Sequence, residues 1–306
     1  MVLIESDTWR LWSDPAAGVQ WAFAEVCRNG EWHAVIPDCR NTDSDALGAG
    51  QDASAPLAAA SFHMLPYSNR IRDGRFTFEG QDIQLDEAAK HAIHGALRKL
   101  PWKIVEQTSD TLICETQSSD HTKLNWPWSI AARIEQRVEG NSLVSTIKLT
   151  NQSDSSMPAG FGWHPYFVRQ VNGSDATLTL PVEGVFPDAA GDCLPDGAAI
   201  DLPASLDFRK PRLLDADQRI DCCLSGLSGQ CVINWTDGGI KLVMSASENC
   251  RYLVLFNPDM PHFAVEPVTN ANDGFNLSSK GIESGVQVLT PGATLESTMI
   301  LQAIVD

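Results

Sequence analysis

Leu143, Ser145, Ile147 and Leu149 share one face of a segment that ends at Asn151. A period of two belongs to a strand with one side on a core, because helical faces repeat every 3.6 residues. The same period recurs along the chain. Phe76 and Phe78 alternate with polar neighbours, the chain reverses at Glu79-Gly80-Gln81, and Ile83 and Leu85 resume the pattern. That predicts a hairpin. Trp235-Thr236-Asp237-Gly238-Gly239-Ile240 predicts another, since Asp-Gly and Gly-Gly accept positive φ. Tyr252 to Phe256 is continuously apolar, which suits a central strand buried on both faces. Near the C-terminus Met299 and Leu301 oppose Thr298 and Gln302. Only Asp86 to Ala92 reads as a helical turn or two. With 17 prolines and 22 glycines punctuating the strands, the expected fold is all-β, as two packed sheets or a barrel.

A chain of 306 residues, 43% hydrophobic and 20% charged, can bury a large core. No internal repeat or low-complexity linker divides it, so one domain over 1–306 is expected. Asn41 to Ala60 is small and polar and reads as a surface loop, or as a flap over a cleft. The net charge of −17 excludes nucleic acid and anionic membranes as partners, since phosphate contacts need clustered Lys and Arg. It also disfavours a highly anionic substrate, unless a local basic pocket exists.

No apolar run approaches the ~20 residues of a membrane span. Met1 to Trp12 lacks the basic and apolar regions of a signal peptide. The expected location is cytoplasmic, and the eight irregularly spaced cysteines, with no CxxC, read as reduced thiols. His91 and His94 have HxxH spacing without a third ligand at a recognisable interval, so neither metal nor organic cofactor is expected.

Chemistry concentrates in Gly162-Trp163-His164-Pro165-Tyr166-Phe167. Pro165 fixes its own φ and drives His164 towards an extended backbone. The imidazole is thus mounted on a stiff strand end among three large rings. A proton-transfer group needs such a mounting, and sugar rings bind well on aromatic faces. These six residues alone fit a core histidine in an aromatic cluster equally well.

Other segments extend the pattern in order: Pro66-Tyr67-Ser68-Asn69-Arg70-Ile71 with Gly74-Arg75-Phe76; His94-Gly95 with Pro101-Trp102; Ile220-Asp221; Val265-Glu266-Pro267-Val268-Thr269; and Leu289-Thr290-Pro291-Gly292. Together with the hexapeptide, from about residue 60 to the C-terminus, they resemble the aldose 1-epimerase (galactose mutarotase-like) family. The resemblance implies a large antiparallel β-sandwich, the galactose mutarotase-like supersandwich, with an open sugar-binding cleft on one curved sheet. It implies interconversion of the α and β anomers of a free hexose, without a cofactor. One group takes the proton of the C1 hydroxyl while another protonates the ring oxygen.

By that resemblance Glu266 is the base and His164 the acid. His94 hydrogen-bonds the ring oxygen or a neighbouring hydroxyl, Arg70 binds sugar hydroxyls, and Asp221 accepts hydrogen bonds from them. The flanking Val265, Pro267 and nearby Phe263 suit a partly buried Glu266 with a raised pKa. Trp163, Tyr166 and Trp126-Pro127-Trp128 are candidate sugar platforms. His94-Gly95 suits a turn where backbone comes close to a ligand; Ala96 follows where the family often has a second glycine. His33, His63, His121 and His262 carry no motif and read as structural or surface residues.

Two further functions fit the same residues. One is an epimerase of a phosphorylated or sulfonated sugar, whose anion needs converging cations; Arg70, Arg72, Arg75, Arg98 and Lys99 form the available cluster. The other is a carbohydrate-binding relative without catalysis. Neither the choice of sugar nor the oligomeric state can be read from the chain.

Overall fold

The computed structural model describes residues 1–41, 59–86 and 91–306. Two large antiparallel sheets dominate. The nine-stranded sheet is built around Ile130–Glu139, Ser142–Asn151, Thr294–Val305 and Ile240–Ala246, which lie side by side in that order. Each buries every second residue along most of its length, as the alternation requires. On the outer face Glu135 pairs with Arg133 and Arg137, and Thr146 bonds Thr298 across strands. On the inner face Leu143, Ile147, Leu149, Met299 and Leu301 are buried.

The second sheet runs Ile200–Asp201, Gly184–Val185, Ile220–Ser225, Tyr252–Asn257, His262–Val268, Gly162–Trp163, His63–Met64, with Tyr166–Val168 also paired to His262–Val268. Its central members differ from the other sheet. All seven residues of His262–Val268 are buried, as are five of the six in Tyr252–Asn257. One face of these strands packs on the nine-stranded sheet. On the other face Tyr252, Val254 and Val268 pack with Phe62, Phe186, Ala271 and Leu277, so the apolar run is continuous. Trp163, Phe161, Phe167 and Phe263 fill the space between the sheets.

A four-stranded sheet from Val2–Glu5, Trp9–Asp14, Gln20–Arg28 and Glu31–Ile36 abuts the second sheet. Trp21 bridges Ser61, its N–H donating to the Ser61 carbonyl at 2.8 Å. The turn after Asp14 is seated on the loop that precedes Lys103: Gly18 N–H donates to Leu100 O and Trp102 N–H to Pro15 O, both at 2.8 Å.

Both predicted hairpins form. Arg75–Phe78 pairs with Gln81–Gln84 across Glu79 and Gly80, which both have positive φ. Cys231–Trp235 pairs with Ile240–Ala246, Trp235 facing Ile240. Part of Asp86 to Ala92, read as helical, lies outside the described residues; Ala92 itself is in a strand, Ala92–Ile93. Of the loop read at Asn41 to Ala60, residues 42–58 lie outside them too. All eight cysteines are free thiols, six of them buried. Among the described residues, no helix is long and apolar enough to cross a membrane.

Candidate active site

Strand parity decides what faces the site. Glu266 lies opposite Val254, which lies opposite Cys223; one register step away, Tyr166, Ala264, Phe256 and Asp221 form a second row across the sheet. Rows two residues apart point to the same face. His164 follows Gly162, which pairs with Val268, so it shares that face, and its N–H donates to Phe62 O at 2.9 Å. The motif residues on four segments are thereby delivered to one side of one sheet.

The centre is a buried pair. His164 Nε2 lies 3.1 Å from Glu266 Oε1, with Glu266 1% exposed and His164 5%. Glu266 Oε2 and His164 Nδ1 are buried without a protein partner among the described residues. Burial raises the Glu266 carboxyl well above its usual range; the charge of Asp221 adds to this and Arg70 opposes it. Burial holds His164 down to about 3, aided by the positive charges of Arg98 and His262.

His94 arrives from a short ribbon in which Arg70 pairs with Ile93. The ribbon brings together segments more than twenty residues apart, and His94 N–H donates to Asn69 O at 2.8 Å. The His94 ring meets that of His164 edge to face, with centroids 5.2 Å apart at 90°. Burial, then Arg98 and His164, keep it well below the usual histidine range. Gly95 closes the turn with φ +77°, and a Cβ there would stand 2.3 Å from Leu65 O. The close approach expected at His94-Gly95 is therefore to the Leu65 backbone. Ala96 fits the same turn, donating to Leu65 O at 2.9 Å.

Arg70 Nη1 lies 3.8 Å from Asp221 Oδ2 and donates to Asp192 O at 2.9 Å. Asp221 Oδ1 accepts from the Cys193 thiol at 3.0 Å, and Asn272 donates to that sulfur at 2.9 Å. Tyr166 packs on His164 with centroids 4.7 Å apart.

Trp163 is elsewhere. It is fully buried on the core face, and its indole N–H donates to Ser145 Oγ of the opposite sheet at 2.9 Å. Neighbours along a strand face opposite ways, so Trp163 and His164 cannot both line one cleft. As a sugar platform Trp163 is corrected to a core residue. Trp126 and Trp128 stack with Phe76, and Trp126 also meets Tyr67 and Phe275. Conversely, His262 belongs beside the site. It stands four residues before Glu266 on the same strand face, its ring is 5.0 Å from Tyr166, and its buried Nε2 has no partner among the described residues. Parity from Glu266 would have found it. Phe62 carries no motif, yet stacks on His164 at 4.4 Å. Among the described residues, no three His, Cys, Asp or Glu side chains gather as a metal site.

The aldose 1-epimerase family model matches residues 34–302. This chain belongs to the aldose 1-epimerase family. Among relatives, it is 25% identical to the uncharacterised protein YphB of Escherichia coli, over 84% of this chain and 88% of that one. It is 28% identical to the aldose 1-epimerase of the same organism, over 62% of this chain and 60% of that enzyme. Among solved structures, a galactose mutarotase-like protein from Clostridium acetobutylicum superposes with a TM-score of 0.82 at 16% identity, covering 99% of this chain and 95% of that one. The GalM/aldose epimerase homologue from C. elegans gives 0.81 at 15% identity, covering 99% and 98%. The family's β-rich, antiparallel architecture is thus the one seen here, and the family acts on sugars.

Proposed function

We propose that this chain is an aldose 1-epimerase that interconverts the α and β anomers of a free hexose, with Glu266 and His164 as its proton-transfer pair. The observation that carries this is their 3.1 Å contact in a dry setting, each keeping one atom unpartnered among the described residues. In ring opening the pair reacts from the minor placement of its one proton, on His164, and the Glu266 carboxylate takes the C1 hydroxyl proton. The C1–ring oxygen bond breaks as the C1 carbonyl forms, and the ring oxygen takes a proton from the His164 imidazolium. The pair is left as carboxylic acid and neutral imidazole. After rotation about C1–C2, closure uses this second form: Glu266 returns a proton to the carbonyl oxygen and His164 recovers one from the ring hydroxyl. The two halves therefore alternate between two placements of one proton, and no outside acid or base is consumed.

His94 supports the ring oxygen, Arg70 and Asp221 hold hydroxyls, and Tyr166 forms a wall. Buried atoms on His94, His262 and Asn272, unpartnered among the described residues, suit a ligand rich in hydroxyl groups. Eight free thiols suit a reducing compartment, which favours the cytoplasm. The test is anomer exchange of freshly dissolved α-D-glucose and α-D-galactose followed by NMR. The expected result is acceleration that falls by about 10²–10⁴ in Glu266→Gln. Full activity in that variant, or no acceleration by the native protein, would sink the reading.

A further inference from the structure

Arg70 and Asp221 carry opposite charges 3.8 Å apart, and they do not close. A charge-assisted N–H···O bond between them would measure about 2.7–2.9 Å. Both are held instead by the turn between Gly184–Val185 and Ile200–Asp201. The Asp192 carbonyl accepts from Arg70 Nη1 at 2.9 Å, and the thiol of the next residue, Cys193, donates to Asp221 Oδ1 at 3.0 Å. The Asp188 carboxylate shapes this turn, accepting from the N–H groups of Gly191, Asp192 and Cys193 at 2.8, 3.2 and 2.6 Å. Cys193 itself takes φ +59°, uncommon for a residue with a side chain. The direction of the thiol bond is fixed by its neighbour. Asn272 Nδ2 donates to Cys193 O at 3.0 Å, and a carbonyl only accepts, so the amide nitrogen is the group that faces Cys193. The same nitrogen lies 2.9 Å from the sulfur. The sulfur thus receives a proton from Asn272, and its own S–H points to the carboxylate. Burial, then the charge of Asp221, raise the Cys193 thiol well above its ordinary range, so it stays a neutral donor. Asn272 Oδ1 is buried with no partner among the described residues.

We propose that Cys193 is a positioning residue for sugar binding: its thiol ties Asp221 to Asn272 and keeps the carboxylate from closing onto Arg70. The use of these groups for sugar hydroxyls rests on the epimerase reading. A carboxylate offers about four acceptor positions and a guanidinium five donors. A direct ion pair would spend several of these on each other. Held apart by consecutive residues of one turn, the two groups keep that capacity for a ligand. Without the thiol the Asp221 side chain turns to Arg70, and the ion pair that forms competes with the sugar. A serine hydroxyl accepts and donates as the thiol does, whereas an alanine methyl does neither.

Two measurements test this on the full-length protein. The first is anomer exchange of α-D-galactose or α-D-glucose, whichever is faster. Cys193→Ala is expected to raise KM about tenfold with kcat within about threefold, and Cys193→Ser to recover most of the loss. Added to Asp221→Ala, Cys193→Ala should change KM by less than about twofold, because a residue that acts through Asp221 has nothing left to act on. An unchanged KM in Cys193→Ala, a kcat that falls as far as kcat/KM, or losses that multiply in the double variant overturns the proposal and leaves the epimerase reading standing. The second is calorimetric binding of methyl α-D-galactoside and methyl α-D-glucoside, neither of which can exchange anomers. Weaker binding in Cys193→Ala that Cys193→Ser restores supports the proposal even if no sugar is turned over. Equal binding by the native protein and Cys193→Ala, or binding of neither glycoside by the native protein, overturns it.

Discussion

The imidazole of His164 and the carboxyl of Glu266 face each other at 3.1 Å on adjacent segments of one sheet, and both are shut off from solvent. Desolvation penalises each charge, so the pair holds one proton most easily, and its titrations belong to the pair rather than to either residue.

The pH profile of kcat/KM should therefore be bell-shaped. The singly protonated pair is the active form. Activity falls on the acid side as a second proton is forced on, with His164 held down to about 3. It falls on the alkaline side as the last proton leaves, above the ordinary carboxylate range because Glu266 is raised. Initial rates of anomer exchange across pH, corrected for the spontaneous reaction, check this. An alkaline limb at an ordinary carboxylate pKa, near 4.3, would contradict it.

Stability should respond to the same burial. The folded state keeps a proton on Glu266 that the unfolded chain releases above about pH 4.3. Between that pH and the raised folded value, folded Glu266 binds more protons than unfolded, so this residue makes stability fall as pH rises. Glu266→Gln removes that fall. The Tm of the variant minus that of the native protein should grow as pH is raised from 4.5 towards 8, and a gap independent of pH would contradict the burial argument.

Gly95→Ala should be damaging although alanine is small. Its Cβ would stand 2.3 Å from Leu65 O at φ +77°, so both contact and backbone are strained. A loss of at least about 1–3 kcal/mol is expected, read by urea denaturation, with lower kcat because His94 is the preceding residue.

Trp163→Phe should leave sugar affinity within about twofold while lowering stability. The indole N–H has no counterpart in phenylalanine, and Ser145 Oγ loses its donor in a dry interior, a change worth about 1–3 kcal/mol. Titration with a methyl glycoside beside a denaturation curve separates the two effects. Weakened binding would return Trp163 to the site.

Asp221→Ala should raise KM roughly tenfold with a smaller change in kcat, because it removes an acceptor for hydroxyls rather than a proton-transfer group. Steady-state kinetics on α-D-galactose decide it; a kcat that falls as steeply as kcat/KM would move Asp221 into the chemistry.

Much of this was legible because strands repeat every two residues and motif residues sit at fixed places on them. The turns at Glu79-Gly80 and Gly238-Gly239 announced themselves through residues that accept positive φ. The Glu266 setting was legible from its apolar neighbours. Trp163 was misread because an aromatic beside a histidine was taken as its partner, when alternation sends the two to opposite faces. His262 was missed for the converse reason, since four residues along a strand bring a side chain back to the same face. Phe62 had no local signal, and Arg98 stood out only as one of a cluster of cations. Their closeness comes from pairing between segments distant in sequence, which a single chain does not display.

The family match begins at residue 34, but the support under Phe62 begins earlier. Trp21 holds Ser61, and the Pro15 to Gly18 turn is wedged against Leu100 and Trp102, with no room for a Cβ on Gly18 beside Arg98 O. The solved relatives superpose over 99% of the chain, so shape persists where likeness of residues has faded. Trimming the protein to its homologous span would keep His94, His164 and His262 and remove what fixes their spacing.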